Sequence, residues 1–194
     1  MGRFVHEATC TDPSTGITYL TEDATPSGLY RYVPTTPGRL ADGGELQMLA
    51  IGSTSHQTYR AGTGTTYRNL TWVTIDQPDP GAGETSVVQQ GIAKGGAQFA
   101  RLEGAWYGDE SVYFHATSGG DAGFGQVWRY RPGEAAPTAT WPSPSSIDAR
   151  TSISSSRSGG CSFRRAIRAA RSLLPVAGSG PAVRSLRAPR PCRW

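Results

Sequence analysis

An internal repeat is the feature of this sequence that most constrains its fold, because self-similarity restricts architecture more than local propensity does. Residues 4–34 contain a Phe followed by an acid, an apolar stretch after a turn, and an Arg-Tyr stretch that ends in Pro. Residues 99–132 contain the same features in the same order. The repeated acids, Glu7 and Glu103, lie 96 residues apart.

This spacing favours the blades of a β-propeller. One four-stranded blade takes about 40–50 residues, so the repeat corresponds to about two blades, with another strand group around residues 70–75 between them. A β-sandwich would also give short, regularly spaced strands, but it offers no reason to repeat an acid at the start of each unit. The prediction is therefore an all-β chain that forms a partial β-propeller of antiparallel blades.

Short runs of apolar and β-branched residues between turn signals predict eight strands. Asp12-Pro13 followed by Gly16 predicts a hairpin turn, and Asp109-Glu110 predicts a second one. No helix of normal length fits before residue 140. The predicted strands are 4–11, 16–20, 29–33, 46–51, 70–75, 98–106, 111–115 and 126–130.

The distribution of charge divides the chain into two unlike parts. The formal net charge of +4 combines an acidic body, residues 1–149, with residues 150–194, which carry ten arginines and no acid. Because the basic charge is confined to the end of the chain, it does not indicate a nucleic-acid partner for the body. No stretch approaches the roughly 20 apolar residues of a membrane span. The sequence indicates no specific protein partner.

Composition changes at Pro142, where Ser, Arg, Ala, Pro and Gly become dominant. We therefore predict a propeller part at 1–141 and a low-complexity basic tail at 142–194, which is either disordered or translated from a shifted frame. The apolar residues at 163, 167, 170 and 174 have helical spacing, so the tail could be weakly helical. Chance periodicity in a short stretch rich in Arg and Ala is the interpretation we favour, and we assign the tail no function.

Several common chemistries lack their motifs in this chain. The three cysteines, at 10, 161 and 192, form no CxxC pair, so neither a structural zinc site nor a disulfide framework is indicated. Gly62-Thr63-Gly64 lacks the Lys-Ser/Thr of a P-loop, and no Ser lies in a Gly-x-Ser-x-Gly elbow. Any catalysis is therefore expected to depend on metal-bound oxygens.

Acids near the strand ends are the candidate metal ligands. Strands that open onto a propeller channel bring carboxylates from several blades together, and calcium takes about six to eight oxygen ligands. Glu7 and Glu103 fit that arrangement, and Glu22-Asp23 add two carboxylates after the second strand. Asp121 lies in the matching loop of the second copy. The alternative is that the loop acids cap turns in solvent.

Histidines and arginines offer further candidates. His6 and His115 could be metal ligands or phosphate donors, although a single His on a strand is more often structural. Guanidinium groups bind phosphate through paired hydrogen bonds. The candidate phosphate-binding arginines are Arg3, Arg31, Arg101 and Arg129, of which Arg31 and Arg129 have flanking aromatics that favour a structural role.

A set of short motifs, covering about residues 2–141, resembles the PhoX family of secreted bacterial alkaline phosphatases. The motifs are Gly-Arg-Phe-Val-His-Glu-Ala at 2–8, Asp-Pro at 12–13, Gly16, Tyr-Leu-Thr-Glu-Asp at 19–23, Leu-Tyr-Arg-Tyr-Val-Pro at 29–34, Leu-Gln-Met-Leu at 46–49, Trp-Val at 72–73, Arg-Leu-Glu-Gly at 101–104 and Val-Trp-Arg-Tyr at 127–130. The resemblance implies a propeller that holds calcium, and in the characterised phosphatases iron as well, and that hydrolyses phosphate monoesters. It also implies export by the twin-arginine route to the periplasm or the medium.

The resemblance also implies which residues bind the metals. Glu7, in the His-Glu-Ala motif, and Glu103, in the Glu-Gly motif, become the best ligand candidates, with Glu22 and Asp23 behind them. The chain lacks the family's export signal, its N-terminal blades and its later acidic motifs. We therefore expect a fragment that is inactive on its own.

Two other functions remain open at this stage. One is a calcium-binding propeller lactonase or gluconolactonase-like hydrolase, which shares the Glu-Gly motif and the aromatic-Arg-Tyr strand. The other is a non-catalytic propeller that serves as a binding module, since a fold alone does not determine activity.

Overall fold

The computed structural model describes residues 1–133 and 146–152, which form two five-stranded antiparallel sheets. The first sheet contains, in spatial order, β1 (His6–Thr11), β2 (Thr18–Glu22), β3 (Leu29–Pro34), β4 (Gly44–Ile51) and β6 (Leu70–Thr74). The second contains β5 (Thr66–Tyr67), β10 (Ser146–Ser152), β9 (Gln126–Arg131), β8 (Ser111–Ala116) and β7 (Leu102–Gly108). A 3-10 helix at Leu40–Asp42 and one α-helix, α1 (Val87–Ala93), complete the described elements.

The sequence repeat corresponds to these two sheets. β1 to β4 follow one another as an antiparallel meander, and β7 to β10 do the same. Leu20 lies opposite Tyr30 in the first sheet, as Phe114 lies opposite Trp128 in the second, so Tyr30 and Trp128 occupy equivalent positions. All eight predicted strands are present with shifted ends, and the all-β prediction is confirmed.

The two sheets pack in the manner of neighbouring blades. Tyr30 lies in an apolar cluster with Val87 of α1, on the face of the first sheet that points away from the second. Trp128, at the equivalent position, packs instead against the opposite face of the first sheet, in a cluster with Leu29. The face of the first sheet that carries Tyr30 and the face of the second that carries Trp128 thus point the same way around the molecule. In a β-sandwich these two faces would point toward each other. Within the described residues this is a partial propeller without closure.

One continuous segment pairs with the outer strand of each sheet. β5 pairs with β10 of the second sheet, and β6, which follows after two residues, pairs with β4 of the first. Between them Asn69 has a φ of 58°, in the left-handed region that Asn tolerates better than most residues. The segment therefore links the two blades at their outer edges.

Helix α1 covers the first sheet, and with seven residues it is shorter than the helices of normal length that the sequence excludes before residue 140. Ser86 caps it, since its hydroxyl accepts from the Gln89 N–H at 3.4 Å while the Gln89 side chain accepts from the Ser86 N–H. A Cβ on Gly91 would lie 2.1 Å from the Met48 sulfur, so a glycine is needed for the helix to approach β4. With seven residues, α1 is too short to show helical periodicity. No helix among the described residues is long and apolar enough to cross a membrane.

Backbone conformation explains the shifted strand ends and the predicted turns. β7 begins at Leu102 rather than at residue 98 because Arg101, with a φ of 50°, interrupts the extended chain. In the first hairpin the Asp12 carboxylate accepts from the Ser14 N–H at 2.9 Å, as the turn signal predicted. In the second, Asp109 and Glu110 both have positive φ, which matches the primed two-residue turn that suits a twisted hairpin.

β10 lies inside the stretch that the sequence analysis assigned to the tail. Its Ile147 and Ala149 are buried in the core between the two sheets. The apolar alternation that fixes this strand is only a few residues long, and the polar composition around it concealed it. The rest of the predicted tail, including the helical pattern at 163–174, lies outside the described residues.

Matched polar pairs also place β10 in the repeat. Arg31 of β3 lies opposite Gln47 of β4, and its Nε donates to the Gln47 amide oxygen at 2.7 Å. Arg129 of β9 lies opposite Asp148 of β10, and its Nη2 contacts the carboxylate at 2.7 Å. β10 therefore occupies in the second blade the place that β4 occupies in the first, and both arginines have the structural role predicted for them.

Candidate functional site

Glu7 and Glu103 occupy the same position in the two sheets, each within a β-bulge. In both strands the bulge adds one residue relative to the neighbouring strand. The pairs that flank the bulges are His6 with Glu22 and Thr9 with Leu20 in the first sheet, and Leu102 with Ala116 and Ala105 with Phe114 in the second. Bulges redirect a side chain away from regular alternation and are common beside active sites. The repeated acid is thus accompanied by a repeated backbone feature.

A buried threonine joins the two bulged strands. The Thr21 Oγ1 accepts from the Ala8 N–H at 3.0 Å, and the hydroxyl donates to the carbonyl oxygen of Glu103. Thr21 is fully buried, so water does not compete for these hydrogen bonds. The Ala8 and Glu103 backbones, next to or within the two bulges, are therefore held in a fixed relation.

Arg101 joins two of the predicted acids. Its Nε lies 2.9 Å from Asp23 Oδ1 and its Nη2 lies 3.1 Å from Asp23 Oδ2, so the guanidinium grips that carboxylate with two hydrogen bonds. The same Nη2 contacts Glu103 Oε1 at 3.0 Å. Asp23 follows β2 in the first sheet and Glu103 belongs to β7 in the second, so the contact crosses the junction between the blades.

A third acid, Glu7, lies near enough to act on Arg101 electrostatically. The hydrogen bond to Asp23 and the charge of Asp23 raise the pKa of the Arg101 guanidinium, and the charges of Glu103 and Glu7 act in the same direction. Arg101 therefore contacts Asp23 and Glu103 directly, and Glu7 acts on it only through its charge. This cluster, which we call the junction cluster, consists of Glu7, Asp23, Arg101 and Glu103.

Two residues of the second blade support Glu103. The Thr117 hydroxyl donates to Glu103 Oε1 at 3.0 Å. His115 on β8 is buried, and burial lowers the pKa of its imidazole while the nearby charge of Glu103 opposes that shift. The imidazole beside the junction cluster is therefore neutral at pH 7, the form in which a histidine can accept a proton or bind a metal.

Glu22 lies apart from the junction cluster, although it directly precedes Asp23. Its Oε2 accepts from the Tyr30 hydroxyl at 2.7 Å and from the Gly28 N–H at 3.1 Å, in a buried site. Burial raises the pKa of this carboxyl, and the hydrogen bonds from Tyr30 and Gly28 oppose the shift. Neighbouring residues of a strand point to opposite faces, which explains the separation of Glu22 from Asp23.

The remaining candidates serve local contacts. Asp121 accepts from the Ala122 N–H at 2.9 Å at an exposed loop position. His6 lies over the Phe4 ring with the ring centroids 3.8 Å apart. Arg3 forms an exposed ion pair with Asp79. Of the four predicted phosphate-binding arginines, only Arg101 lies at the junction cluster.

The described residues alone do not fit a complete metal site. Within residues 1–133 and 146–152, no three His, Cys, Asp or Glu side chains converge in a geometry that could hold a metal ion. Calcium requires about six to eight oxygen ligands. Both oxygens of Asp23 and one oxygen of Glu103 are already bonded to Arg101. The junction cluster could supply part of a ligand set, and further donors would have to complete it.

The sequence indicated the acids of this site but not the residues that hydrogen-bond to them. Thr21 and Thr117 are ordinary strand and loop residues in sequence, and their roles depend on contacts across 82 and 14 residues. Arg101 was among the phosphate-binding candidates, but its contact with Asp23 joins residues 78 positions apart. The Arg-x-Glu spacing of 101 and 103 is a local signal only for the contact between Arg101 and Glu103.

Comparison with known proteins identifies relatives of the fold. A family model described as alkaline phosphatase PhoX matches residues 1–147. The chain is similar to the solved structure of Pseudomonas fluorescens PhoX in complex with vanadate, a transition state analogue, with a TM-score of 0.50 and 17% sequence identity. That similarity covers 76% of this chain and 31% of the other, so this chain spans about a third of the solved protein. No curated protein matches the sequence.

Proposed function

Because this chain belongs to the PhoX alkaline phosphatase family, we propose that it is part of a metal-dependent enzyme that hydrolyses phosphate monoesters. The observation that supports this most directly is the pair of matched bulges, which brings Glu7 and Glu103 of two blades to one junction. Propeller enzymes build their sites where strands of several blades meet, and these acids lie at such a meeting point.

The metal ligands are the finer part of this proposal. Glu7, Asp23 and Glu103 would contribute oxygen ligands to a calcium centre, with iron as a second metal as in the family. Glu22 has less support, because its carboxylate holds Tyr30 and Gly28 in a buried site. The set is incomplete within the described residues, so the centre would need donors from the rest of the phosphatase. For the same reason we propose that this chain is inactive alone.

Arg101 and Thr117 would act on the carboxylates rather than on bond cleavage. Arg101 offsets the charge of the three acids, and Thr117 orients Glu103 through one hydrogen bond. His115, kept neutral by burial, borders the same cluster. The substrate would be a phosphate monoester, and the location would be the periplasm or the medium, as in the family.

The proposal can be tested in a longer phosphatase that contains residues 1–147 together with the remaining blades. Hydrolysis of p-nitrophenyl phosphate should depend on added calcium. Glu7→Gln and Glu103→Gln should each lower kcat at least about 100-fold, because losing a charged ligand disrupts the metal centre. Glu110→Gln, in an exposed hairpin turn, is the matched control and should retain wild-type activity.

The outcomes distinguish the alternatives. The 194-residue chain should show no turnover by itself. Hydrolysis of lactones but not of phosphate esters would favour the lactonase-like alternative, and calcium binding without either reaction would favour a binding module. Full activity in both Glu variants would remove these residues from the metal centre.

A further inference from the structure

The backbone of Arg101 is held in a strained conformation by both blades. Its φ of 50° lies in the left-handed region, which costs free energy for a residue with a Cβ. The Arg101 N–H donates to the Ala24 carbonyl at 2.8 Å in the loop after β2. The Arg101 carbonyl accepts from the Thr117 N–H at 2.9 Å. Strain of this kind persists only where the surroundings fix it, and it clusters at functional sites.

The side chain of Arg101 spans the same junction. It contacts both oxygens of Asp23 in the first blade and Oε1 of Glu103 in the second. A planar guanidinium can form this fork, whereas a lysine ammonium is a point charge without fixed directions. Without the Arg101 guanidinium between them, the carboxylates of Asp23 and Glu103 would repel each other and move apart.

We propose that Arg101 is a positioning residue that sets the separation of the Asp23 and Glu103 carboxylates across the two blades. The αL backbone aims the side chain at the junction, and the fork then orients the two acids. Its relevance to catalysis rests on the proposed function, whereas its effect on the junction does not. The two parts therefore have separate measurements.

The first measurement uses the 194-residue chain and amide hydrogen exchange. In Arg101→Lys the charge stays but the fork is lost, so the strained backbone should open more often and the amides of Arg101 and Thr117 should exchange about tenfold faster. Arg39→Lys is the matched control, because Arg39 is an exposed arginine whose Nε contacts Asp42 at 3.0 Å. That variant should leave exchange at Arg101 and Thr117 unchanged.

The second measurement uses the longer phosphatase. Arg101→Lys should lower kcat about 10- to 100-fold with little change in KM and in thermal midpoint, because misplacing a group by about 1 Å can cost about 100-fold. Arg101→Gly removes the side chain and relieves the φ strain, so it should fold. Added guanidinium ion at millimolar concentration should restore part of its activity, and added ammonium ion should not.

Each result decides the inference. Wild-type exchange in Arg101→Lys would overturn it, and so would wild-type kcat in an active enzyme. If the wild-type longer protein hydrolyses no phosphate ester, the proposed function fails, and the exchange rates alone decide the role of Arg101. If Arg101→Lys does not fold, Arg101→Gly replaces it, and the absence of guanidinium rescue would count against positioning by the side chain.

Discussion

The two blades share a strand meander and a bulged first strand, but they differ in what surrounds each bulge. Thr21 in the first blade corresponds in register to His115 in the second. Thr21 ties the two bulged strands together by hydrogen bonds, while His115 lies buried beside Glu103. The repeated part, a bulge with an acid, defines the junction. The residue at the differing position, Thr21 or His115, gives each blade a different contact at that junction.

The neighbouring position differs even more. Glu22 of β2 corresponds to Ala116 of β8, because each is paired with the residue before the bulge. The first blade therefore contains a buried carboxyl that the second lacks. Glu22 holds the loop that returns to Gly28, and Ala24 of that loop accepts the Arg101 N–H. The comparison indicates that Glu22 supports the loop of the first blade, while Glu7 and Glu103 are the equivalent acids.

The largest effect is expected from breaking the contact between the blades. Trp128 is fully buried among Phe99, Phe114 and Tyr67. Trp128→Ala should lower the free energy of unfolding by about 3–5 kcal/mol, because it removes a large core side chain and leaves a cavity. Urea unfolding followed by tyrosine and tryptophan fluorescence measures the change.

Phe124→Ala is the control for this prediction. Phe124 is 53% exposed in a glycine-rich loop, so its removal should change the free energy of unfolding by no more than about 0.5 kcal/mol. Equal effects of the two substitutions would mean that Trp128 does not lie between the packed sheets.

The next largest effect is expected from a substitution in β10, compared with the equivalent substitution in β4. Asp148→Ala should cost about 3 kcal/mol, because it leaves the buried Arg129 guanidinium without this partner. Gln47→Ala, at the equivalent position, should cost about 1 kcal/mol, because it removes a neutral hydrogen bond to the part-buried Arg31. Chemical unfolding of both variants gives the comparison. A smaller loss for Asp148→Ala than for Gln47→Ala would contradict the placement of β10 in the second blade.

Much of the fold could be predicted from the sequence because it depends on local patterns. Strand order and the repeat follow from apolar runs and turn residues, and hairpin topology follows from short turns such as residues 12–16. Two short elements, α1 and β10, were harder to predict. Helix α1 has the Ser86-x-x-Gln89 capping signal but too few turns to show a period, and β10 has only Ile147 and Ala149 to mark it.

The candidate site could be predicted less fully, for a physical reason. A bulge changes the face of the sheet on which a residue lies. The residues that flank Glu7 and Glu103 do not require a bulge. The left-handed φ of Arg101 is fixed by Ala24 and Thr117, which belong to other parts of the chain. The sequence therefore identified the acids, and tertiary contacts determined which of them meet.

The smallest effect is expected in the pH dependence of stability that arises from Glu22, the buried acid without a counterpart in the second blade. Because burial raises the pKa of Glu22 above its ordinary value of 4.5, its folded form binds a proton more readily than its unfolded form. The stability it contributes is fully present below about pH 4.5 and is lost as the pH rises through the folded pKa. Glu22→Gln keeps an acceptor for Tyr30 and Gly28 but does not titrate, so it should lose this dependence. Urea midpoints between pH 4 and 8 measure it.

Because His115 also makes stability depend on pH, the prediction for Glu22 is tested on the difference between variant and wild type. Burial lowers the pKa of His115 from 6.5, so its stability contribution is present above that pH and is lost as the pH falls through the folded pKa. The two groups act in opposite directions between about pH 4.5 and 6.5, and a single pH profile would hide both. Subtracting the wild-type profile from that of Glu22→Gln removes the His115 contribution. The variant should then gain stability relative to wild type as the pH rises, and a flat difference would show that the Glu22 carboxyl is not buried.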